Sequence, residues 1–389
     1  MLIKTLLSLT ALTLTLTSCT KKQEAENSAG TTAAESSEIL VGEYGSMTGG
    51  EATFGISTHQ GIMLAFKEVN SSPEKLKGKT LKLLSLDDQG KPEEAATAVT
   101  KLITQDKVMA IIGEVASSRS LAAAPISQQY KVPMISPSST NPKVTEVGDF
   151  IFRVCFIDPF QGTVMAKFAA ENLKVKKVAI MRDVKSDYSV GLANYFKETF
   201  TKMGGSIVSE QTYVSNDIDF KAQLTSIKTS KPDAIFIPGY YTEVGLIARQ
   251  ARGLGLKVPL LGGDGWDSSK LFEIGKDSIV GSYFSNHYTT DTTDPRAKDF
   301  IAAFKKEFNA VPDGLAALGY DAAKVLIDAM KRSKSLTSST DLRDAIASTK
   351  DFAGVTGMIT VNEQRNATKS AVVVKVAGDN NTFVTTINP

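Results

Sequence analysis

The sequence predicts an α/β protein: two doubly wound parallel-sheet lobes joined by a hinge that the chain crosses more than once. Three observations carry this. From Ile39 onward, short apolar runs alternate with helical stretches at the spacing of βαβ units, which places parallel strands between helix layers. The alternation runs for about 120 residues and then begins again, as two consecutive domains would. The last third differs, with three helices followed by three strands that must be shared between the lobes.

In the first lobe Ile39–Tyr44 alternates as a strand, and a glycine-rich turn over 45–55 leads into a helix from Ile56 to Asn70. Strand Leu81–Leu86 precedes helix Pro92–Thr104, with Pro at its first turn. Strand Val108–Ile112, helix Ser118–Gln129 and strand Pro133–Ser136 follow. The second lobe reads as helix Pro159–Asn172, strand Val178–Arg182, helix Val190–Met203, strand Ile207–Val214 and helix Phe220–Thr229. It continues with strand Ala234–Pro238, helix Glu243–Leu254, strand Pro259–Gly262, a short helix Ser268–Ile274 and strand Ile279–Phe284. Helices Pro295–Phe308, Leu315–Ser333 and Thr340–Ser348 and strands Met358–Val361, Ala371–Val376 and Phe383–Ile387 complete the chain. The expected division puts 39–157 and 286–357 in lobe 1, and 158–285 and 358–389 in lobe 2.

Met1–Ser18 carries Lys4 ahead of a Leu/Thr-rich core, too short and too interrupted by Thr for a membrane span. It reads as an export signal. Leu16-Thr17-Ser18-Cys19 is similar to the lipobox of bacterial lipoproteins, which implies cleavage before Cys19 and its acylation. Residues 19–38 are rich in Lys, Glu, Ser, Thr, Ala and Gly with no apolar period, the composition of a flexible tether. An exported chain, lipid-anchored on the periplasmic or cell-surface side, is expected.

Composition narrows the chemistry. Hydrophobic residues make up 42% and charged residues 22%, as in ordinary soluble globular proteins. The formal charge of +2 is interspersed, with no basic stripe to suit a nucleic acid. Two His and two Cys leave almost no material for a metal site or a Cys/His pair. Cys155, alone in the apolar run Phe150–Phe156, reads as a small buried hydrophobe. Ser72-Pro73-Glu74-Lys75 fits S-x-x-K but lacks the partner motifs of that hydrolase class, and no nucleophile elbow, P-loop or zinc motif occurs. Neither an enzyme nor a cofactor is expected. Arg119 reads as a solvated helix residue, near enough to the Ser pair to assist an anion, His59 and His287 as surface or hinge residues, and Trp266 as cleft wall or packing.

Ligands of open α/β sheets bind beyond the carboxyl ends of the strands. In lobe 1 those ends carry Val115-Ala116-Ser117 and Ser138-Ser139-Thr140; the Ser pair at 117–118 should cap a helix and present N–H groups to an anion. In lobe 2 they carry residues 183–188, Gly239-Tyr240-Tyr241-Thr242-Glu243 and Gly262-Gly263-Asp264-Gly265-Trp266, where aromatics and a carboxylate suit a cation. Two such jaws facing each other would read a zwitterion rather than a phosphate.

Residues 39–389 resemble the leucine/isoleucine/valine-binding proteins of the type 1 periplasmic-binding fold, the substrate-binding subunits of branched-chain amino-acid ABC importers. The resemblance rests on Gly45-Ser46-Met47-Thr48-Gly49, Ala52-Thr53-Phe54-Gly55, Asn70, Asp87-Asp88, Ile112-Gly113, and Ser136-Pro137-Ser138-Ser139-Thr140. Gly239-Tyr240, the run from Leu246 to Ala251, and Gly319-Tyr320-Asp321-Ala322 continue it. It implies that Ser117 holds a ligand carboxylate and that Ser138 and Thr140 contact the amino-acid backbone. It implies further that Tyr240 and Asp264 contact the ammonium, that Tyr188 is a cleft aromatic, and that Phe54, Val115, Ala116 and Leu315 line the side-chain pocket. The family often has Glu where Asp264 stands, and an aromatic common at the Leu315 position is absent. The implied protein is a monomer that performs no chemistry and delivers a small L-amino acid, branched-chain favoured, to a membrane permease by closing two lobes. The same fold also serves sensory receptor subunits for amino acids, amides or urea.

Overall fold

A computed structural model describes residues 37–378 and 380–389. The export signal, Cys19 and nearly all of the tether therefore lie outside the described residues. The first sheet is built from β1 (Glu38–Gly45), α1 (Ala52–Ser71), β2 (Thr80–Asp87), α2 (Pro92–Thr104), β3 (Ala110–Ile112), α3 (Ser117–Tyr130), β4 (Met134–Ser136), α4 (Lys143–Glu146) and β5 (Ile151–Arg153). Its strand order is β2-β1-β3-β4-β5, and every pairing is parallel.

The chain then passes to α5 (Asp158–Lys167), prolonged by a π-helical turn over Phe168–Asn172, and on to β6 (Lys177–Asp183), α6 (Asp187–Lys202), β7 (Ser206–Tyr213), α7 (Lys221–Ser230), β8 (Ala234–Phe236), α8 (Tyr241–Gly253), β9 (Leu260–Gly262), α9 (Ser269–Gly275) and β10 (Tyr283–Asn286). Next come α10 (Pro295–Phe308), α11 (Gly314–Arg332), α12 (Ser339–Ala347), β11 (Phe352–Gly354), β12 (Gly357–Val361), β13 (Ala367–Thr368), β14 (Ala371–Val376) and β15 (Asn381–Ile387). The second sheet runs β15-β14-β10-β9-β8-β6-β7, parallel from β7 to β10 and closed by the antiparallel strands β14 and β15. The architecture is the expected pair of doubly wound lobes.

Local chemistry sets the helix limits. Ser186, Ser268, Asp294, Asp313 and Ser338 cap α6, α9, α10, α11 and α12, each accepting a backbone N–H. Lys131, Lys231 and Asn309 end α3, α7 and α10 in the left-handed conformation. Burial does the rest. One face of the first sheet packs Ile111, Met134 and Ile151 against Val99, Leu102 and Ala123. Its other face packs Val41, Ala110 and Ile135 in the core that holds Phe54, Ile62 and Phe66 of α1.

Several expectations need correction. α1 starts at Ala52 rather than Ile56: the end of the glycine-rich stretch, Ala52–Gly55, is already helical, and the Gly55 N–H, left free in the first turn, binds Ser46 O. Val108 is outside the strand, its N–H closing a turn onto Leu102 O. The strand expected over Ile279–Phe284 lies at Tyr283–Asn286, since Ile279 and Val280 make turn hydrogen bonds to Lys276 O and Asp277 O. The short elements α4, β11 and β13 have no periodicity long enough to read. Strands β11, β12 and β13 form a small sheet of their own. Asp321 of α11 holds it by accepting from Val355 N (2.8 Å), Thr356 N (2.9 Å) and Thr356 Oγ1 (2.6 Å). Arg153 N and Thr145 Oγ1 also bind it, at Arg365 O and Asn366 Oδ1. A boundary at 357/358 thus falls inside this sheet. Three passages join the two large sheets: between β5 and α5, between β10 and α10, and between β13 and β14.

Candidate functional site

The carboxyl ends of both sheets meet at one cleft. Phe54 comes from α1, Val115 from the turn after β3, Ser138 from the turn after β4 and Leu315 from the start of α11. Tyr188 comes from the first turn of α6, Tyr240 follows β8, and Asp264 and Gly265 follow β9. These eight residues line one small cavity. Seven of them are residues singled out from the sequence. The cavity leaves a volume of about 10 Å³ for the centre of a water-sized sphere, room for about one water.

Its walls are aromatic. Tyr188 and Tyr240 stack at 5.3 Å with an interplanar angle of 11°, and Phe54 meets Tyr240 edge-on at 5.2 Å and 89°. Gly265 has to be glycine: a Cβ there would stand 2.8 Å from Tyr240 Cδ1 and 2.9 Å from Gly239 O. Ala116 lines a larger outer cavity of about 370 Å³ that shares Tyr240 with the inner one. Ser117 and Thr140 are both buried (1% exposed) but line neither cavity. Ser117 Oγ accepts from Asn141 N at 3.2 Å, and Thr140 Oγ1 has no hydrogen-bond partner among the described residues.

The capping role given to the Ser pair is corrected. Ala116 is the N-cap of α3 and no side chain caps it, because the helix already begins at Ser117. Ser118 instead reaches across the cleft to Asp187 Oδ2 at 2.8 Å. Asn141 Nδ2 donates to Asp187 O (2.8 Å), Thr242 Oγ1 to Gly50 O (2.6 Å), and Thr53 Oγ1 lies 2.9 Å from Ser268 Oγ. The two lobes are thus bridged outside the cavity.

Asp264 is the polar centre of the inner cavity. Its Oδ1 accepts from Gln161 Nε2 (2.7 Å) and Tyr188 OH (2.9 Å), and its Oδ2 lies 3.0 Å from His287 Nε2. Burial drives the His287 pKa down to about 4 despite the carboxylate beside it, so the imidazole is neutral at pH 7. His287, read as a surface or hinge residue, is 3% exposed, and Gln161 had no signal of its own in the sequence. A histidine directly after a strand end was the available hint. Trp266 resolves to packing: it is fully buried, and its Nε1–H donates to Ile237 O at 2.9 Å.

Arg119 is likewise corrected. It is 5% exposed, not solvated. Its guanidinium donates to Gly90 O at 3.0 Å, pairs with Glu51, and lies 3.2 Å from Glu114 Oε2. Ser46 Oγ links Glu114 (2.9 Å) to Asp88 (2.8 Å), whose carboxyl burial and the Glu114 charge push up to about 7. The charged groups behind the α3 turn therefore pair with one another, although Asp88 Oδ2 and Arg119 Nε make no hydrogen bond among the described residues. The Cys155 thiol is fully buried and driven up to about 12 by burial, which makes it inert. What the cleft offers is recognition: an apolar, aromatic cavity with Ser138 on one side and the Asp264 carboxylate on the other.

Comparison with known proteins identifies the family. A family model described as periplasmic binding protein matches residues 38–381. The leucine-binding protein LivK of Thermotoga maritima superposes with a TM-score of 0.87 at 43% identity, covering 90% of this chain and 99% of that one. The branched-chain amino-acid substrate-binding protein LivJ of Streptococcus pneumoniae, solved with isoleucine, gives 0.85 at 33%, covering 90% and 100%. A solute-binding protein of an ABC transporter from Rhodopseudomonas palustris, solved with 3,4-dihydroxybenzoic acid, gives 0.81 at 28%, covering 91% and 98%. These relatives are solute-binding proteins, not enzymes. The chain belongs to the periplasmic binding protein family, among the substrate-binding proteins of branched-chain amino-acid ABC transporters.

Proposed function

We propose that this protein captures a small L-amino acid, branched aliphatic side chains favoured, and presents it to the permease of an ABC importer. The single observation that carries the reading is the convergence of Phe54, Val115, Leu315, Tyr188, Tyr240, Ser138 and Asp264 on one cavity. The aromatic and aliphatic walls suit an apolar side chain, Asp264 and Tyr240 an ammonium, and Ser117, Ser138 and Thr140 a carboxylate.

Entry requires the lobes to part, since the inner cavity has room for about one water. The ligand would meet the lobe 1 hydroxyls first and reach Tyr240 and Asp264 on closure. Contacts made only in the closed form shift the equilibrium by their differential affinity. Lobe boundaries at 157/158 and 285/286 belong to this reading, with the last one moved from 357/358 to the passage between β13 and β14. So do export and anchoring through an acylated Cys19, which rest on the lipobox.

A thermal-shift screen over free amino acids, small amides, urea and aromatic acids tests it, because a ligand of the folded state raises the melting temperature. Leucine, isoleucine or valine should give the largest rise, followed by a one-to-one calorimetric isotherm. The relative that holds 3,4-dihydroxybenzoic acid supplies the competing outcome. A shift with aromatic acids and none with amino acids would overturn the reading.

A further inference from the structure

His287 stands immediately after β10, on the second passage between the sheets. Its side chain is 0% exposed. Phe156, on the first passage, stacks on the imidazole at 3.6 Å with a 22° tilt. The ring is therefore clamped by one passage while it belongs to another. Lys369, on the third passage, is close enough for its charge to be felt at the ring. Nε2 lies 3.0 Å from Asp264 Oδ2, while Nδ1 has no hydrogen-bond partner among the described residues. An ionised carboxylate only accepts, so the neutral ring must carry its proton on Nε2.

Asp264 is consequently held from two directions. Gln161 and Tyr188, both of lobe 2, take Oδ1, and His287 takes Oδ2 from the hinge side. Of the three partners, only His287 sits on a segment that must change its backbone angles if the lobes move. We propose that His287 is the positioning residue of the ammonium subsite, its Nε2–H fixing the Asp264 carboxylate and tying it to the hinge. The inference rests on the reading of Asp264 as the ammonium contact. A ligand cation at Oδ1 leaves Oδ2 in place only while His287 donates to it. Charge arriving at the cleft is thereby mechanically linked to the strand passage at 286–295.

The test uses tag-free protein, in which His59 and His287 are the only imidazoles. In nitrogen-detected imidazole spectra between about pH 5 and pH 8, His287 should stay in the neutral Nε2–H form while His59 titrates. Addition of L-leucine should move the His287 resonance and leave His59 in place. His287→Leu, which keeps bulk and removes the donor, should weaken L-leucine binding about tenfold. His287→Gln, whose amide N–H can reach the carboxylate, should recover most of that loss. In an Asp264→Asn background, His287→Leu should have no further effect, because both act through one contact.

An Nδ1–H form, an ordinary titration of His287, a His287→Leu affinity equal to wild type, or a full additional loss in the Asp264→Asn background would each overturn the proposal. If His287→Leu does not fold, the wild-type spectra decide. Wild-type protein that binds no amino acid sinks the reading of the site and this proposal with it. Intact leucine binding in His287→Leu sinks this proposal alone.

Discussion

Asp264→Asn is the sharpest single perturbation of the cleft. The substitution removes the negative charge and preserves the shape. Asn Oδ1 can still accept from Gln161 and Tyr188, which now donate at 2.7 and 2.9 Å. The Asn Nδ2 group would face the His287 Nε2–H, but the ring can answer by moving its proton to Nδ1, which has no partner to lose. The unliganded fold should therefore lose about 1–3 kcal/mol, the cost of a buried imidazole N–H left without an acceptor. Ligand binding is a different matter. A charge-assisted contact to an ammonium contributes about 1.5–3 kcal/mol, so affinity for leucine should fall by roughly 10- to 150-fold. Titration calorimetry measures the affinity, and urea unfolding without ligand measures the stability. An affinity within about twofold of wild type would show that Asp264 serves Tyr188, Gln161 and His287 rather than the ligand.

Three further predictions follow from neighbouring geometry. Gly265→Ala places a Cβ 2.8 Å from Tyr240 Cδ1 and 3.1 Å from Tyr188 Cε1; it should cost about 1–3 kcal/mol of stability and weaken leucine binding, which urea titration and calorimetry would read, and unaltered binding would refute it. Arg119→Met strips Glu51 and Glu114 of their buried guanidinium and should cost about 3–5 kcal/mol near pH 8. That loss should shrink near pH 5, because burial already raises the Glu51 pKa and its stranded carboxyl takes up a proton there, and a loss that ignores pH would contradict the argument. Asp158 is fully buried, and its pKa is pushed by burial from 3.8 to about 8. A carboxyl raised in the folded state contributes stability that is complete below its unfolded pKa and is lost as pH rises through the folded one. Asp158→Asn mimics the neutral acid, so it should melt above wild type at pH 8 and level with it near pH 4; equal melting at both would refute the assignment.

The fold was legible because long-range order here is written locally. Each βαβ unit carries its own apolar strand and amphipathic helix, so β1 to β4 and α5 to α8 could be placed within a few residues. The cavity-lining residues were legible for a related reason: they sit at the carboxyl ends of strands, the place a parallel sheet leaves open for ligands. Their assignment to carboxylate, ammonium or side chain came from the family resemblance and not from periodicity. What failed was local chemistry read without its surroundings. Ser117 looked like a cap because Ser favours that position, yet the helix starts one residue earlier and Ala116 takes the place. Arg119 looked solvated because it is charged, but Glu51 lies before α1 and Glu114 on another turn, and only the packed sheet brings both to it.

The sequence by itself determined the layer architecture, the repetition that makes two lobes, and the strand ends where a ligand could lie. Apolar period and turn residues are properties of neighbouring residues and need no third dimension. Only the tertiary structure decided which polar groups share a site. Gln161, Tyr188, Asp264 and His287 stand on four separate segments, and their hydrogen bonds exist because the winding of the second lobe brings the starts of α5 and α6 and the ends of β9 and β10 to one cleft. Burial then altered what those groups are: a histidine that would titrate near neutrality in water is held neutral there, because the cavity that excludes water also excludes its charge.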